Sequence, residues 1–545
     1  VAGHRHLLSH LVPRAAAAAP EAVAVTCDTD SLTWAELEDR VARLAAALVA
    51  NGVGRGDRVG IYLHKSLDSL VAVHGILRAG AAYVPIDPIA PVETVAAIVG
   101  DCGIDVVVTH EPRRAGLVRL AAIGGPAVLV GLDGPLTGEG AGDGTGSTGP
   151  RTVSSAEVAD LDPLDPVPVL GDDLAYVMYT SGSTGTPKGI MHTHRSGLAY
   201  AVMSAELYGL GPHDRMANFS PLHFDMSTFE VLAGVAAGAR VVLVPEPHLR
   251  LPASLTQLIA EQGCTTLYTV PSLFQQMLTR GSLADRDLSS VRWVLPAGEV
   301  FPPEPLRELA RLFPEARFSN VYGPAEVNQI TYHHFGPEDL DDGTLPIGLA
   351  CPDVELRVVD EEDRLVPDGQ RGELLARAAT MMTGYWNRPE LDRRGFLDEP
   401  GPGGSIRRWY RTGDLVSVDG RGWLRYHGRR DNQIKIRGNR VELESVEAAV
   451  GSLDGVEHAV VGVRGGPGGD DELVARYVAA GATEPGRWRV ELAGRLPTYA
   501  IPTVYEEAER FPLTPSGKID RRTVRDQIAT GAGRREPSAT AGGDG

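Results

Sequence analysis

Short β-rich runs alternate with helix-patterned stretches through the first quarter of this chain, and that alternation permits few architectures. The runs are RVGIYL at 58–63, IDVVVTH at 104–110 and PAVLVG at 126–131. Between and before them lie WAELEDRVARLAAALVA at 34–50 and SLVAVHGILRAGA at 69–81. The first of these repeats apolar positions at helical spacing and starts after Thr33, an N-cap with Glu36 three positions on, so an amphipathic helix is predicted there. Strands that alternate with helices pack as parallel α/β layers, because each helix must cover a face of the sheet.

At 545 residues the chain exceeds one hydrophobic core, and roughly 150 residues per domain predicts about three or four compact units, fewer if one is large. Its 52 Lys plus Arg against 71 Asp plus Glu give a net charge of −19, which opposes general binding to nucleic acid or to an anionic membrane surface. Any anionic ligand must be held by local positive groups. Cys27, Cys102, Cys264 and Cys351 lie far apart without a CxxC or Cys/His cluster, so neither a disulfide framework nor a zinc site is expected, and a cytoplasmic location fits. The N-terminal apolar stretch is interrupted by Arg14 and closed by Pro20, and no run of about 18 apolar residues occurs, so a soluble protein without an anchor is expected.

Residues 131–157 are dominated by Gly, Ser, Thr and Pro and read as a mobile surface loop. A second break is expected near 428–432, where GRRDN separates WLRYH from QIKIRGNRVEL, leaving room for a small C-terminal domain. The tail after Val524 reads as disordered.

The buried-strand pattern LAYVMY at 174–179 runs into TSGSTGTPKG at 180–189. Its glycines, Gly182 and Gly185 among them, let backbone N–H groups approach phosphate oxygens. The hydroxyls of Thr180, Ser181, Ser183 and Thr184 can donate, and Lys188 adds a movable positive charge. The Walker spacing GxxxxGK[ST] is absent, so the mechanics of that loop do not apply. Taken alone, the segment also fits a plain Gly/Ser turn.

Five further segments follow in order: NVYGPAE at 320–326, GELLARAATMMTGYWNRPE at 372–390, YRTGDL at 410–415, GRRDNQIKIRGNRVELESVE at 428–447 and LTPSGKIDR at 513–521. With the phosphate loop, this set resembles the adenylate-forming superfamily, which includes acyl-CoA synthetases, luciferases and the amino-acid adenylation domains of nonribosomal peptide synthesis. The resemblance spans nearly the whole chain. It implies a large N-terminal α/β domain at 1–428, made of two αβ-layered subdomains and a small β-barrel-like one. A small mobile α+β domain at 429–526 and a disordered tail at 527–545 follow, with a hinge at Asp431.

The resemblance also implies roles. Glu326 would hold Mg²⁺ bridging ATP phosphate oxygens, as a hard oxygen ligand suits, and Tyr322, beside Gly323, would stack on adenine. Asp414 corresponds to the aspartate that accepts both ribose hydroxyls, and Arg429 to the arginine that reaches the same region. Lys518 resembles the lysine that bridges the substrate carboxylate and the α-phosphate. Gly438 falls on the strand presented to the phosphopantetheine tunnel after domain rotation. Arg429, Arg430, Lys435, Arg437 and Arg440 form a positive run there that fits either a phosphate contact or a solvated strand face. This chain departs from the family pattern at Ala325, where a threonine is usual, with Mg²⁺ or Thr184 as candidates to compensate.

Substrate choice is read from SPLHFDMSTFE at 220–230. In amino-acid adenylation domains the aspartate of FDxS pairs with the substrate ammonium, and the match here is Asp225. An ammonium about 4 Å away gains on the order of 4 kcal/mol before desolvation, whereas an acid lacking nitrogen leaves the carboxylate unpaired. The family's pocket positions fall on Asp225, Met226, Phe229, Thr269, Leu295, Ala297, Val321, Gln329, Ile330 and Lys518. That set has no second acidic partner and two bulky members, so a small neutral side chain such as that of alanine or proline fits best.

The strings PAGEVFPPE at 296–304 and YGPAEVNQ at 322–329 are similar to stand-alone enzymes that load proline or alanine onto carrier proteins. No Gly-Gly-x-Ser phosphopantetheine site follows Lys518 and no condensation domain precedes Leu32, so a separate carrier protein is the expected acceptor. Two other readings remain at this level: an acyl-CoA ligase for a non-amino acid, which shares every nucleotide motif, and a non-catalytic nucleotide-binding module.

Overall fold

The computed structural model describes residues 7–136, 149–180, 187–336, 339–340, 345–430, 433–436, 439–466, 471–481, 483–513 and 519–532. The chain divides into two compact units, with the change at Arg430/Asp431.

The first unit begins as its patterning dictates. Thr33 accepts from the Glu36 amide at 3.2 Å, and the Glu36 carboxylate accepts from the Thr33 amide at 2.8 Å, closing a capping box. The helix Trp34–Ala50 that follows buries Trp34, Leu37, Val41, Leu44 and Leu48. It packs on the helix Leu67–Arg78, where Gly75 permits the approach: a Cβ there would lie 2.8 Å from Leu44 Cδ2.

Two large sheets form the α/β body. One has the strand order Gly384–Tyr385, Lys188–Thr193, Leu174–Thr180, Ala82–Pro85, Arg58–Ile61, Val106–Val108, Val128–Val130, Arg151–Val153, parallel from Leu174–Thr180 onward. The other is parallel through Arg317–Tyr322, Trp293–Pro296, Thr266–Thr269, Arg215–Asn218, Arg240–Leu243 and Val23–Cys27, with antiparallel strands on both flanks. The predicted β-rich runs all fall on parallel members of the first sheet. A five-stranded antiparallel sheet, built from Val354–Val359, Gly372–Ala378, Phe396–Pro400, Ile406–Val418 and Leu424–Arg429, supplies the all-β part.

The second unit contains the hairpin Gln433–Ile436/Asn439–Glu442 and a three-stranded sheet of Val456–Gly465, Asp471–Ala479 and Val504–Glu507. Its helices Leu443–Gly451, Pro485–Leu492 and Arg521–Thr530 cover that sheet, with Val446, Val450, Val461, Leu473, Trp488 and Leu492 in one cluster and Val460, Val524 and Ile528 in another.

Two expectations need correction. Within the supposed loop 131–157, Arg151–Val153 adds an edge strand beside Val128–Val130, and Ser155–Ala159 is a helix capped reciprocally by Ser154 and Glu157. The signal was present as S-x-x-E at 154–157 but was submerged in a Gly-rich composition that belongs to 137–148, outside the described residues. The chain after Val524 also continues as helix to Thr530, because Val524 and Ile528 are fully buried and Arg525 Nη2 meets Glu447 Oε1 at 2.6 Å. Among the described residues no helix is long and apolar enough to cross a membrane.

Candidate functional site

The candidate nucleotide end contains the antiparallel pair Leu174–Thr180/Lys188–Thr193. Thr180 and Lys188, the first and ninth residues of the glycine-rich segment, are cross-strand partners. Ser181, Gly182, Ser183, Thr184 and Gly185 lie outside the described residues, as do Asp431, Gly438 and Lys518.

Glu326 is completely buried. Its Oε1 accepts from the Tyr385 hydroxyl at 2.9 Å and lies 4.0 Å from Lys188 Nζ, while that ammonium sits 5.1 Å from the centre of the Tyr385 ring. The phosphate-loop lysine and the carboxylate assigned to magnesium are thus neighbours, although 138 positions apart (326 − 188). One carboxylate suits Mg²⁺, which takes most of its ligands from phosphate oxygens and water, and no denser cluster of metal-ligating side chains occurs among the described residues.

Gly323 has a steric reason to be glycine: a Cβ there would lie 1.6 Å from the Asn328 carbonyl oxygen. At Ala325, where the family's usual hydroxyl is missing, the backbone is held instead. His192 Nε2 lies 3.0 Å from the Ala325 carbonyl, and burial pushes the imidazole down to about 4, so a neutral ring donates there.

Asp414 and Arg429 face each other across an antiparallel pair, with Arg429 Nη1 donating to Asp414 Oδ1 at 3.0 Å. The Tyr322 hydroxyl donates to Asp414 Oδ2. Burial first, and then the Asp414 charge, hold the Tyr322 phenol well above its ordinary pKa. Both carboxylate oxygens therefore accept from the protein, and a carboxylate offers about four lone-pair sites in all.

Several residues of the predicted side-chain pocket set lie at or near the carboxyl ends of parallel strands, where open α/β sheets generally bind ligands. Tyr268 pairs with Leu295, the Ala297 amide donates to the Thr269 carbonyl at 3.1 Å, and Ala297 bridges to Val321. Ile330 is buried, and its amide donates to the Tyr322 carbonyl. Phe229 lies 4.8 Å from the Tyr268 ring and meets Tyr208 edge-on at 5.7 Å. Asp225 and Met226, half-buried, sit on the single turn Asp225–Ser227. Burial chiefly raises the pKa of the Tyr200 and Tyr268 phenols, and the Asp225 charge adds to both shifts, so both rings lie within the field of this carboxylate.

Tyr208, Tyr385, His192 and Cys351 were not legible as site residues. Gln329 Nε2 donates to the Tyr208 hydroxyl at 2.8 Å, and a hydrogen bond from Gln329 also bears on the Cys351 thiol. The one amide of the pocket set is thereby committed to protein partners. Only the GYW string at 384–386, inside a matched motif, pointed at Tyr385.

The AMP-binding enzyme family matches residues 12–386. The chain is 33% identical over 524 residues to tyrocidine synthase 3 of Brevibacillus parabrevis, covering 95% of this chain but 8% of that protein. It is 35% identical over 522 residues to an L-proline–[L-prolyl-carrier protein] ligase of Streptomyces coelicolor, covering 94% and 95%. The Vibrio cholerae adenylation domain AlmE, solved with glycyl-adenosine-5'-phosphate, superposes with a TM-score of 0.80 at 25% identity, over 97% of this chain and 99% of that one. The chain belongs to the AMP-binding enzyme family and is an adenylate-forming enzyme.

Proposed function

We propose that this enzyme activates a small neutral amino acid, alanine- or proline-like, as its aminoacyl adenylate. It then passes the aminoacyl group to the phosphopantetheine thiol of a separate carrier protein in natural-product biosynthesis. The observation that carries this reading is Asp225, a half-buried carboxylate on a single turn whose charge acts on the buried phenols of Tyr200 and Tyr268, where a substrate ammonium can pair with it. Phe229 and Met226 are bulky members of the set proposed to line the side-chain pocket, and the Gln329 amide already donates to Tyr208, so that set favours a small side chain without polar groups. The proline-loading relative, matched over nearly its full length, agrees with that size class.

In the first step an oxygen of the amino-acid carboxylate attacks the α-phosphorus of ATP, the bond to the bridging oxygen breaks, and pyrophosphate leaves. Lys188 and Thr184 offset charge at the phosphates, and Lys518 bridges the entering carboxylate and the α-phosphate. Asp414 and Arg429 hold the ribose, and Tyr322 lies against adenine. Glu326 would hold a magnesium ion, which would supply charge neutralisation at the phosphates when bound. For the second step the resemblance assigns the hinge of the small domain to Asp431 and the pantetheine tunnel to the segment at Gly438. The thiolate then displaces AMP from the carbonyl carbon.

Exchange of pyrophosphate into ATP, measured across a panel of amino, fatty and aryl acids, tests the reading. Alanine or proline should drive exchange at least about ten times better than any acid lacking an α-amino group. Preference for a fatty or aryl acid points to an acyl-CoA ligase, and no exchange with any acid points to a non-catalytic module.

A further inference from the structure

The segment that carries Asp225 is closed by a buried polar cluster that none of the roles above uses. The strand Arg215–Asn218 ends at a fully buried asparagine, and the chain then runs through the turn Asp225–Ser227 to the helical turn Phe229–Gly234. Asn218 Nδ2 donates to Glu230 Oε2 at 2.9 Å, tying the exit of this excursion to its entry. Lys65, immediately before the helix Leu67–Arg78, donates from Nζ to the carbonyls of Asn218 at 3.1 Å and Phe219 at 2.7 Å. From the same helix His74 lies with Nε2 3.1 Å from the Val231 carbonyl. One helix and its N-terminal approach thus grip the excursion at both ends. The Lys65 stem also shares a small cavity with Pro221, Leu222 and His223 of that segment.

Inside the excursion the chain is tightly bonded. Ser227 Oγ donates to the Phe224 carbonyl at 2.8 Å and Thr228 Oγ1 to the Asp225 carbonyl at 2.6 Å. Burial pushes the Lys65 ammonium down to about 7 and the Glu230 carboxyl up to about 8, and each charge opposes the other's shift. An apolar side chain at 65 would avoid that desolvation, but would remove the donor to two carbonyls at the point where the strand gives way to the substrate segment.

We infer that Lys65, through Asn218 and Glu230, is a positioning residue for amino-acid recognition, aligning Asp225 with the substrate ammonium without touching substrate. The inference rests on the ammonium role of Asp225. Pyrophosphate exchange by the full chain with alanine or proline, using Lys65→Met, Asp225→Ala and the double variant, tests it. Lys65→Met should raise the amino-acid KM about tenfold with the ATP KM changed less than about twofold. In the Asp225→Ala background the same substitution should add less than about twofold, because its effect passes through Asp225.

An unchanged amino-acid KM in Lys65→Met, equal rises in both KM values, or multiplicative effects in the double variant would each overturn the inference. Should Lys65→Met fail to fold, Glu230→Leu, which removes the acceptor for Asn218, replaces it: a selective amino-acid KM rise supports the clamp and no change refutes it. Asp225→Ala with an unaltered amino-acid KM refutes instead the ammonium role itself.

Discussion

Arg429 donates to Asp414 across the antiparallel pair Ile406–Val418/Leu424–Arg429, and the same carboxylate accepts from Tyr322, whose strand belongs to a different sheet. Two residues from two other motifs therefore share the Asp414 carboxylate at the proposed nucleotide end. Asp414→Asn should raise the ATP KM at least about tenfold and leave the amino-acid KM nearly unchanged. Because it also leaves the Arg429 guanidinium without this ionic partner, a loss of about 1–3 kcal/mol in urea unfolding is expected. Equal effects on both substrates would argue against a ribose role.

Glu326 lies beside Lys188 and Tyr385, so Glu326→Gln preserves the acceptor for the tyrosine and removes only the charge. The magnesium concentration giving half-maximal pyrophosphate exchange should rise about tenfold or more. A magnesium titration superimposable on that of the parent enzyme would reject the assignment.

A Cβ at position 323 would overlap the Asn328 carbonyl, so backbone must move. Gly323→Ala should weaken ATP activation and cost about 2–4 kcal/mol of stability, read by thermal and urea unfolding. A variant with parent-like melting and kinetics would show that the 323–328 turn relaxes freely.

Lys518 carries only the adenylation step in the proposed mechanism. Lys518→Ala should lose pyrophosphate exchange by about two or three orders of magnitude, yet still transfer from a supplied aminoacyl adenylate to its carrier. Near-normal exchange would remove the lysine from the first step.

Burial lowers the His74 imidazole from 6.5 to about 4. Between those values the unfolded chain binds this proton and the folded chain does not, so stability falls as pH drops from about 6.5 to 4. His74→Gln, which keeps a donor for the Val231 carbonyl, should reduce the slope of unfolding free energy against pH by about 1.4 kcal/mol per pH unit in that window. Equilibrium urea unfolding at half-unit pH steps reads this directly, and identical slopes would contradict it.

Features whose cause is local were legible in the residue order. The Thr33–Glu36 capping box, the strand entering the glycine-rich loop and the run of parallel strands in the first sheet each depend on patterns spanning fewer than about twenty residues. The helix Arg521–Thr530 was missed because its reasons to be helical are the burial of Val524 and Ile528 and the ion pairs to Glu447, all made with distant chain. The edge strand Arg151–Val153 was missed for the same reason, since three residues become a strand only by pairing with Val128–Val130.

The ordered motifs determined the class of chemistry by themselves, adenylate formation, and Asp225 within its FDxS match is what motivates an ammonium-bearing substrate. Tertiary structure decided which groups act together. Lys188 meets Glu326, Tyr322 meets Asp414, Gln329 is held by Tyr208, and Lys65 reaches the start of the segment bearing Asp225, at Asn218, from 153 positions away. Motif spacing carries no such information, because contacts between distant residues follow from strand register and layer packing, which only the folded chain establishes.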